Sequence, residues 1–319
     1  YARRLGMKVL LFTNARLITP ELADLFSRVP PLEPIEVTVY GMRKESCEAV
    51  TRSPGSFSQF RRGVSLLQER GVPFIVKSVL LPQTAHEMSE LEAWAATIPR
   101  MTRRPSITTF LDLRSRRDDP YKNLLIESLR PSPEDALLVL TRDETRYRQD
   151  MNSLAARFMG PPGGALFTCG AAHGVCVDAY GRAQPCMSLR APEWTTALTP
   201  PKHSTNAGDA PPESPFPTDA GSRAVSLVDA LHRFRELPSL RANNAEYLSR
   251  CARCFLKGLC EQCPARSWAE HGTLDTPVSH LCEMAHAQAR YLSWLGKDEL
   301  GWEVENWRER VRGKALTSN

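Results

Sequence analysis

No stretch of this chain approaches the ~18–20 consecutive apolar residues that a membrane-spanning helix needs, so a membrane role is not expected. Its opening residues place basic side chains before a short apolar segment. That segment is too brief for the core of a secretory leader and has no cleavage site. No internal repeat is present. Nor is there a stripe of basic residues interleaved with aromatics, which argues against a nucleic-acid groove. The net charge of +5 arises from interleaved acids and bases, as in residues 142–150 and 307–314, a pattern of solvated helix faces. The seven histidines follow no metal-binding spacing, and His280 and His286 are expected in surface or packing roles. Together these absences point to a cytoplasmic protein. In a reducing compartment its cysteines are better suited to metal than to disulfides.

What is present fits two globular domains: 319 residues, 42% hydrophobic and 24% charged. Over residues 1–113, apolar β-rich runs (8–13, 35–40, 74–81, 107–111) alternate with helical stretches (20–28, 56–70, 86–98). Strand–helix alternation of this kind predicts a parallel α/β sheet or barrel. Four strands are too few for a closed eight-stranded barrel of ~250 residues. The series reads as one whose first units precede residue 1, which is Tyr rather than Met.

Residues 114–160 read as a helical connector. Ser132, with Glu134 and Asp135 behind it, makes a good helix start, and one helix is expected from there toward Phe158. Residues 191–223 hold seven prolines among Ser, Thr, Gly and Asp and are expected to be a disordered insertion. Helices are predicted over residues 224–237, 278–295 and 302–312, and Trp268, Trp294, Trp302 and Trp307 are expected to fill one C-terminal core.

Eight of the nine cysteines lie between positions 169 and 282. Four form the run Cys251-x2-Cys254-x5-Cys260-x2-Cys263; Cys169, Cys176 and Cys186 come before it and Cys282 after it. A C-x-x-C turn aims two thiolates at one metal, and an iron–sulfur cluster needs four. Zinc knuckles place their pairs roughly 12–20 residues apart, wider than the five residues here, but zinc and disulfides remain alternatives. Cys282 falls near a helix start, where the dipole favours a thiolate. Cys176 occupies an alternating strand position before a turn at Tyr180 and Gly181, and is either a ligand or strand packing. Cys47 stands alone and reads as an ordinary side chain.

The order Cys169-x11-Gly181-x4-Cys186, then Cys251-x2-Cys254-x5-Cys260-x2-Cys263, then Cys282 resembles the SPASM domain of radical SAM enzymes. The final gap of two, where that pattern has three, is a departure. The resemblance extends upstream. Residues 8–14, ending in Thr13 and Asn14, are similar to a family strand that ends in T-N-G, and Thr38 lies in a segment resembling the next strand.

The resemblance implies an incomplete radical SAM-type (β/α) partial barrel over residues 1–113 and a helical connector over 114–160. A small cysteine-rich α+β SPASM domain would follow over 161–298, and a C-terminal helix over 299–319. It implies two auxiliary 4Fe-4S clusters. One would be held by Cys169, Cys186 and Cys263 with Cys176 or an open position, the other by Cys251, Cys254, Cys260 and Cys282. It implies S-adenosylmethionine (AdoMet) contacts at Thr13, Asn14 and Thr38 if the upstream part is present. It also implies a peptide or protein substrate and an electron donor such as a flavodoxin or ferredoxin. It offers no catalytic residue. The family's C-x3-C-x2-C motif for the AdoMet-cleaving cluster and its G-G-E-P stretch are both missing from this sequence. The chain alone is therefore expected not to cleave AdoMet. A non-catalytic iron–sulfur carrier or a zinc-binding scaffold is the competing expectation.

Overall fold

The computed structural model describes residues 1–113, 120–178, 180–199 and 224–315. The chain divides into two compact units, Tyr1–Leu111 with Leu129–Pro131, and Asp112–Ser128 with Ser132–Asn319.

The first unit is α/β. Its elements run β1 (Phe12–Thr13), α1 (Pro20–Arg28), β2 (Ile35–Val39), α2 (Lys44–Thr51), α3 (Ser56–Glu69), β3 (Phe74–Val79), α4 (Met88–Ala95) and β4 (Ser106–Thr108). The four strands form one parallel sheet in the order β1-β2-β3-β4. Thr19 caps α1 by accepting from the Leu22 N–H, and Pro20 supplies a preset first turn. Helix α2 was not expected from the sequence. It is short, and the hydrogen-bonded hydroxyl pair Thr51–Ser56 (2.7 Å) ties its end to the start of α3.

The sheet has one apolar and one polar face. Ile35, Val37, Val39, Phe74 and Val76 are buried, whereas the alternate residues Glu36, Thr38, Ile75 and Lys77 are half-buried. Parallel strands covered on both faces usually read as continuous apolar runs. Here one face carries an ion pair instead, Lys77 Nζ to Glu36 Oε2 at 2.7 Å, with the ammonium 4.4 Å from the Phe12 ring centroid.

The second unit contains α5 (Pro120–Ser128), α6 (Pro133–Leu140), α7 (Glu144–Phe158), an antiparallel sheet of β5 (Cys176–Val177), β6 (Arg182–Gln184) and β7 (Thr196–Ala197), then α8 (Leu227–Phe234), α9 (Pro264–His271), α10 (Ser279–Tyr291) and α11 (Trp307–Ala315). The single helix expected from Ser132 to Phe158 is two. Asp143 accepts from the Arg146 N–H and so starts a new helix after the Thr141 C-cap. The first part of the expected disordered insertion is also structured: residues 192–194 form a 3-10 turn that buries Trp194, and β7 follows. Residues 200–223 of that insertion lie outside the described residues.

Two apolar cores organise this unit. One joins Tyr147, Phe255, Leu256, Ala289, Trp294 and Val311, with Cys254, Cys260 and Trp307 packed against it. The other joins Phe167, Leu189, Trp194, Phe234, Leu237 and Ala265, with Cys186, Cys263 and Trp268 packed against it. The four tryptophans therefore do not share one core.

In the first unit α3 presses directly on the turn after β1. A Cβ at Gly63 would stand 1.9 Å from the Ala15 carbonyl oxygen, and Ala15 is itself held at φ 59°. Gly63→Val is expected to lower the urea midpoint, with a stability loss of about 1–3 kcal/mol from overpacking. An unchanged midpoint would contradict this packing.

Candidate metal centre

Cys251, Cys254, Cys260 and Cys282 line one cavity together with Tyr247, Leu256, Gln262, Val278, His286 and Trp302. The cavity has a volume of about 40 Å³ and opens to solvent on one side. Its thiols come from chain segments about thirty positions apart, and local structure explains how each arrives.

Cys251 ends a π-helical turn, Tyr247–Cys251, in which the Ala252 N–H donates to the Tyr247 carbonyl at 2.8 Å. Such widened turns occur mostly at functional sites. Cys254 follows; the Leu256 N–H opposes the rise of its thiol pKa, and the Gln262 N–H does the same for Cys260. Cys282 lies in the first turn of α10. The Gln262 side chain joins the two segments: Oε1 accepts from the Val278 N–H at 3.0 Å, while Nε2 donates to Ser267 Oγ at 2.6 Å and the Thr276 carbonyl at 3.2 Å. From the far side Gly301 closes the wall. A Cβ there would meet Cys254 Sγ at 2.7 Å, so only glycine fits.

Burial dominates the electrostatics. It pushes the Cys251 and Cys254 thiols up to about 12 and Cys260 up to about 11, and the neighbouring cavity thiols push in the same direction. Cys282 is also raised by burial, but the Arg250 hydrogen bond opposes the rise. Without a cation among them, these thiols stay protonated at neutral pH. Ionising them together would put four like charges in a largely apolar site.

Around Cys282 lies a group that the sequence reading missed. Arg250 Nη2 is 3.7 Å from Cys282 Sγ, and its guanidinium lies 4.6 Å from the Trp302 ring centroid. His286 Nε2 accepts from the Gly301 N–H at 3.0 Å, which leaves the proton on Nδ1, 2.8 Å from the Cys282 carbonyl and 3.5 Å from its sulfur. Burial holds this imidazole below its usual pKa. Two signals for it were in the sequence: Arg250 adjoins Cys251, and His286 lies one helical turn beyond Cys282.

Of the remaining cysteines, Cys186 and Cys263 pack on the second core. Cys263 is the N-cap of α9, and its carbonyl accepts the Arg266 and Ser267 N–H groups at 3.1 and 3.0 Å. Burial raises its pKa, and Cys186 adds to the rise through its charge. Cys186 Sγ accepts the Leu189 N–H at 3.2 Å. Cys169 is exposed, two positions from buried Phe167 and Ala171, and Cys176 sits on β5 opposite Gln184. Neither lines the cavity. Gly181, between β5 and β6, has φ +73° and makes the tight turn there. Cys47 is buried in the first unit, 3.9 Å from Ser56 Oγ.

Among the described residues no group of three or more His, Cys, Asp or Glu side chains is placed to hold a single metal ion. The four cavity thiols are spread round a wall rather than gathered at one point.

Of the other expected site residues, Thr13 Oγ1 accepts from the Ala15 N–H and Asn14 Oδ1 from the Arg16 N–H, so both shape the turn after β1. Thr38 is on the polar sheet face, opposite Lys77 in register.

Comparison with known proteins bears on the fold. No family model matches the chain. An AdoMet-dependent heme synthase of Methanosarcina barkeri (strain Fusaro / DSM 804) is 24% identical over 90 residues, 28% of this chain. The match spans only 26% of that protein's length. Among solved structures, a histidine-tagged form of anSMEcpe with bound AdoMet aligns at a TM-score of 0.50 and 14% identity, covering 97% of this chain and 74% of the other. Native anSMEcpe with bound AdoMet aligns at 0.50 and 15%, covering 96% and 74%. The chain therefore has the fold of a radical SAM enzyme with a SPASM domain, as its cysteine order suggests. Among the described residues no helix is long and apolar enough to cross a membrane.

In the metal-free chain, exposed Cys169 is expected to be alkylated by iodoacetamide well before Cys251, Cys254 and Cys260. Raising the pH from 7 toward 10 should speed modification of the cavity thiols, because their thiolate fraction grows over that range. Mass-spectrometric mapping of the modified cysteines reads the order; cavity thiols modified first would contradict the buried, protonated site.

Proposed function

We propose that this chain carries two auxiliary 4Fe-4S clusters as part of a radical SAM enzyme that modifies a peptide or protein. The observation that carries the reading is the set of four half-buried cysteines lining one largely apolar cavity, in a chain with the radical SAM/SPASM fold. The donor chemistry fits. Thiolates are the ligands iron–sulfur clusters take, and thiols dispersed round a wall suit a polynuclear group better than one tetrahedral ion, whose ligands crowd to about 2.3 Å from the metal.

Cys251, Cys254, Cys260 and Cys282 would hold one cluster. Cys186 and Cys263, with Cys169, would hold the other, and Cys176 or an open position would be its fourth site. When bound, such clusters accept or pass single electrons. The chain's own residues aim and stabilise the thiolates: the Leu189 N–H donates to Cys186, the Arg250 guanidinium donates to Cys282, and Gln262 locks the two cysteine segments together. Tyr247, Leu256, Val278 and Trp302 give the cavity a largely apolar lining.

Contacts to AdoMet at Thr13, Asn14 and Thr38 belong to the same proposal, as do a flavodoxin- or ferredoxin-like electron donor and a cytoplasmic setting. The residues present do not fit the AdoMet-cleaving cluster, since the sequence has no C-x3-C-x2-C, and cleavage is not assigned to this chain. The same absence favours, as a second reading, a non-catalytic iron–sulfur electron carrier.

The test is anaerobic reconstitution followed by iron, acid-labile sulfide and zinc analysis. About eight iron and eight sulfide per chain are expected, the content of two 4Fe-4S clusters. Cys254→Ala and Cys186→Ala should each remove about half. No 5′-deoxyadenosine should form from AdoMet with this chain alone. One or two zinc ions without sulfide would instead establish a structural zinc module and overturn the proposal.

A further inference from the structure

Arg250 is the cation in direct hydrogen-bond contact with a cavity thiol, and its placement is over-determined. Glu246 grips Nη1 one helical turn back, the Trp302 ring stacks against the guanidinium, and Nη2 points at Cys282 Sγ at 3.7 Å. Its Nε is buried and makes no hydrogen bond. The π-helical turn is what allows this: the widened backbone sets Arg250 toward Cys282 while its neighbour Cys251 lines the cavity. A solvent-facing arginine would need none of this support. Lys257 also lines the cavity, but its ammonium is engaged by the Gln262 carbonyl at 3.0 Å.

We propose that Arg250 is a positioning residue that sets the reduction potential of the group held by Cys251, Cys254, Cys260 and Cys282, through its charged hydrogen bond to the Cys282 sulfur. This rests on the iron–sulfur reading of the cavity. One-electron reduction, by a low-potential donor, adds one negative charge to a group already bearing four thiolates. A guanidinium beside one sulfur stabilises the reduced state more than the oxidised one, and so raises the potential. Glu246 opposes the effect: it holds Arg250 in place but cancels part of its charge.

The experiment is a dithionite titration of the reconstituted full chain followed by electron paramagnetic resonance. The cavity's signal is identified as the one lost when Cys251 and Cys254 are both replaced by alanine. Arg250→Gln should shift that midpoint to lower potential, Arg250→Lys should restore part of the shift, and Glu246→Gln should move it to higher potential. The second cluster's midpoint should not move in any of them.

An unchanged cavity midpoint in Arg250→Gln at full iron and sulfide content would overturn the proposal. If Arg250→Gln fails to load, Glu246→Gln decides: a higher midpoint supports the tuning role, and an unchanged or lower one rejects it. A wild-type chain that binds no iron and sulfide would instead sink the iron–sulfur reading itself, which is a separate outcome.

Discussion

The second unit is organised around a conflict that its own side chains do not resolve. Cys251, Cys254, Cys260 and Cys282 share a largely apolar cavity in which their anionic forms repel one another. Backbone N–H groups and Arg250 offset part of that cost, but not four charges. The surrounding architecture follows from holding these groups close despite it. Gln262 braces the two segments, Gly301 gives up its side chain so that the wall can close on Cys254, and Phe255, Leu256 and Leu259 anchor the cysteine run in a core. Residues that bind sulfur thus alternate with residues that bury the chain, and neither set makes sense without the other.

The two groups of cysteines stand on different cores, which separates their environments. Cys254 and Cys260 pack with Tyr147, Phe255 and Trp294, while Cys186 and Cys263 pack with Phe167, Phe234 and Trp194. The first group lines a cavity. The second includes exposed Cys169 and lies beside a small antiparallel sheet.

How far all this could be read in advance depended on the range of the interactions. Strands β2 and β3 were legible because an alternating or continuous apolar pattern is a local signal, and α1 because Thr19 and Pro20 are its cap and first turn. The cysteine spacing was legible because ligand geometry is written along the chain. Helix α2 was not, since eight residues give too little periodicity, and the break between α6 and α7 hung on the single cap of Asp143. Strand β7 lay in a proline-rich stretch whose composition argued for disorder, yet pairing with β6 and burial of Trp194 outweighed composition there. Arg250 and Trp302 meet from positions far apart in sequence, so nothing near either one announces the contact.

The same long reach has a consequence for the chain as a polymer. Cys251 and Cys282 are about thirty positions apart, and any group gripped by both closes that stretch into a ring. By analogy with a disulfide closing a loop of that length, the unfolded chain would lose conformational freedom worth about 3–4 kcal/mol. Loading the cavity would therefore act as a removable cross-link, and the α9–α10 segment would owe part of its order to whatever the thiols hold rather than to its own small core.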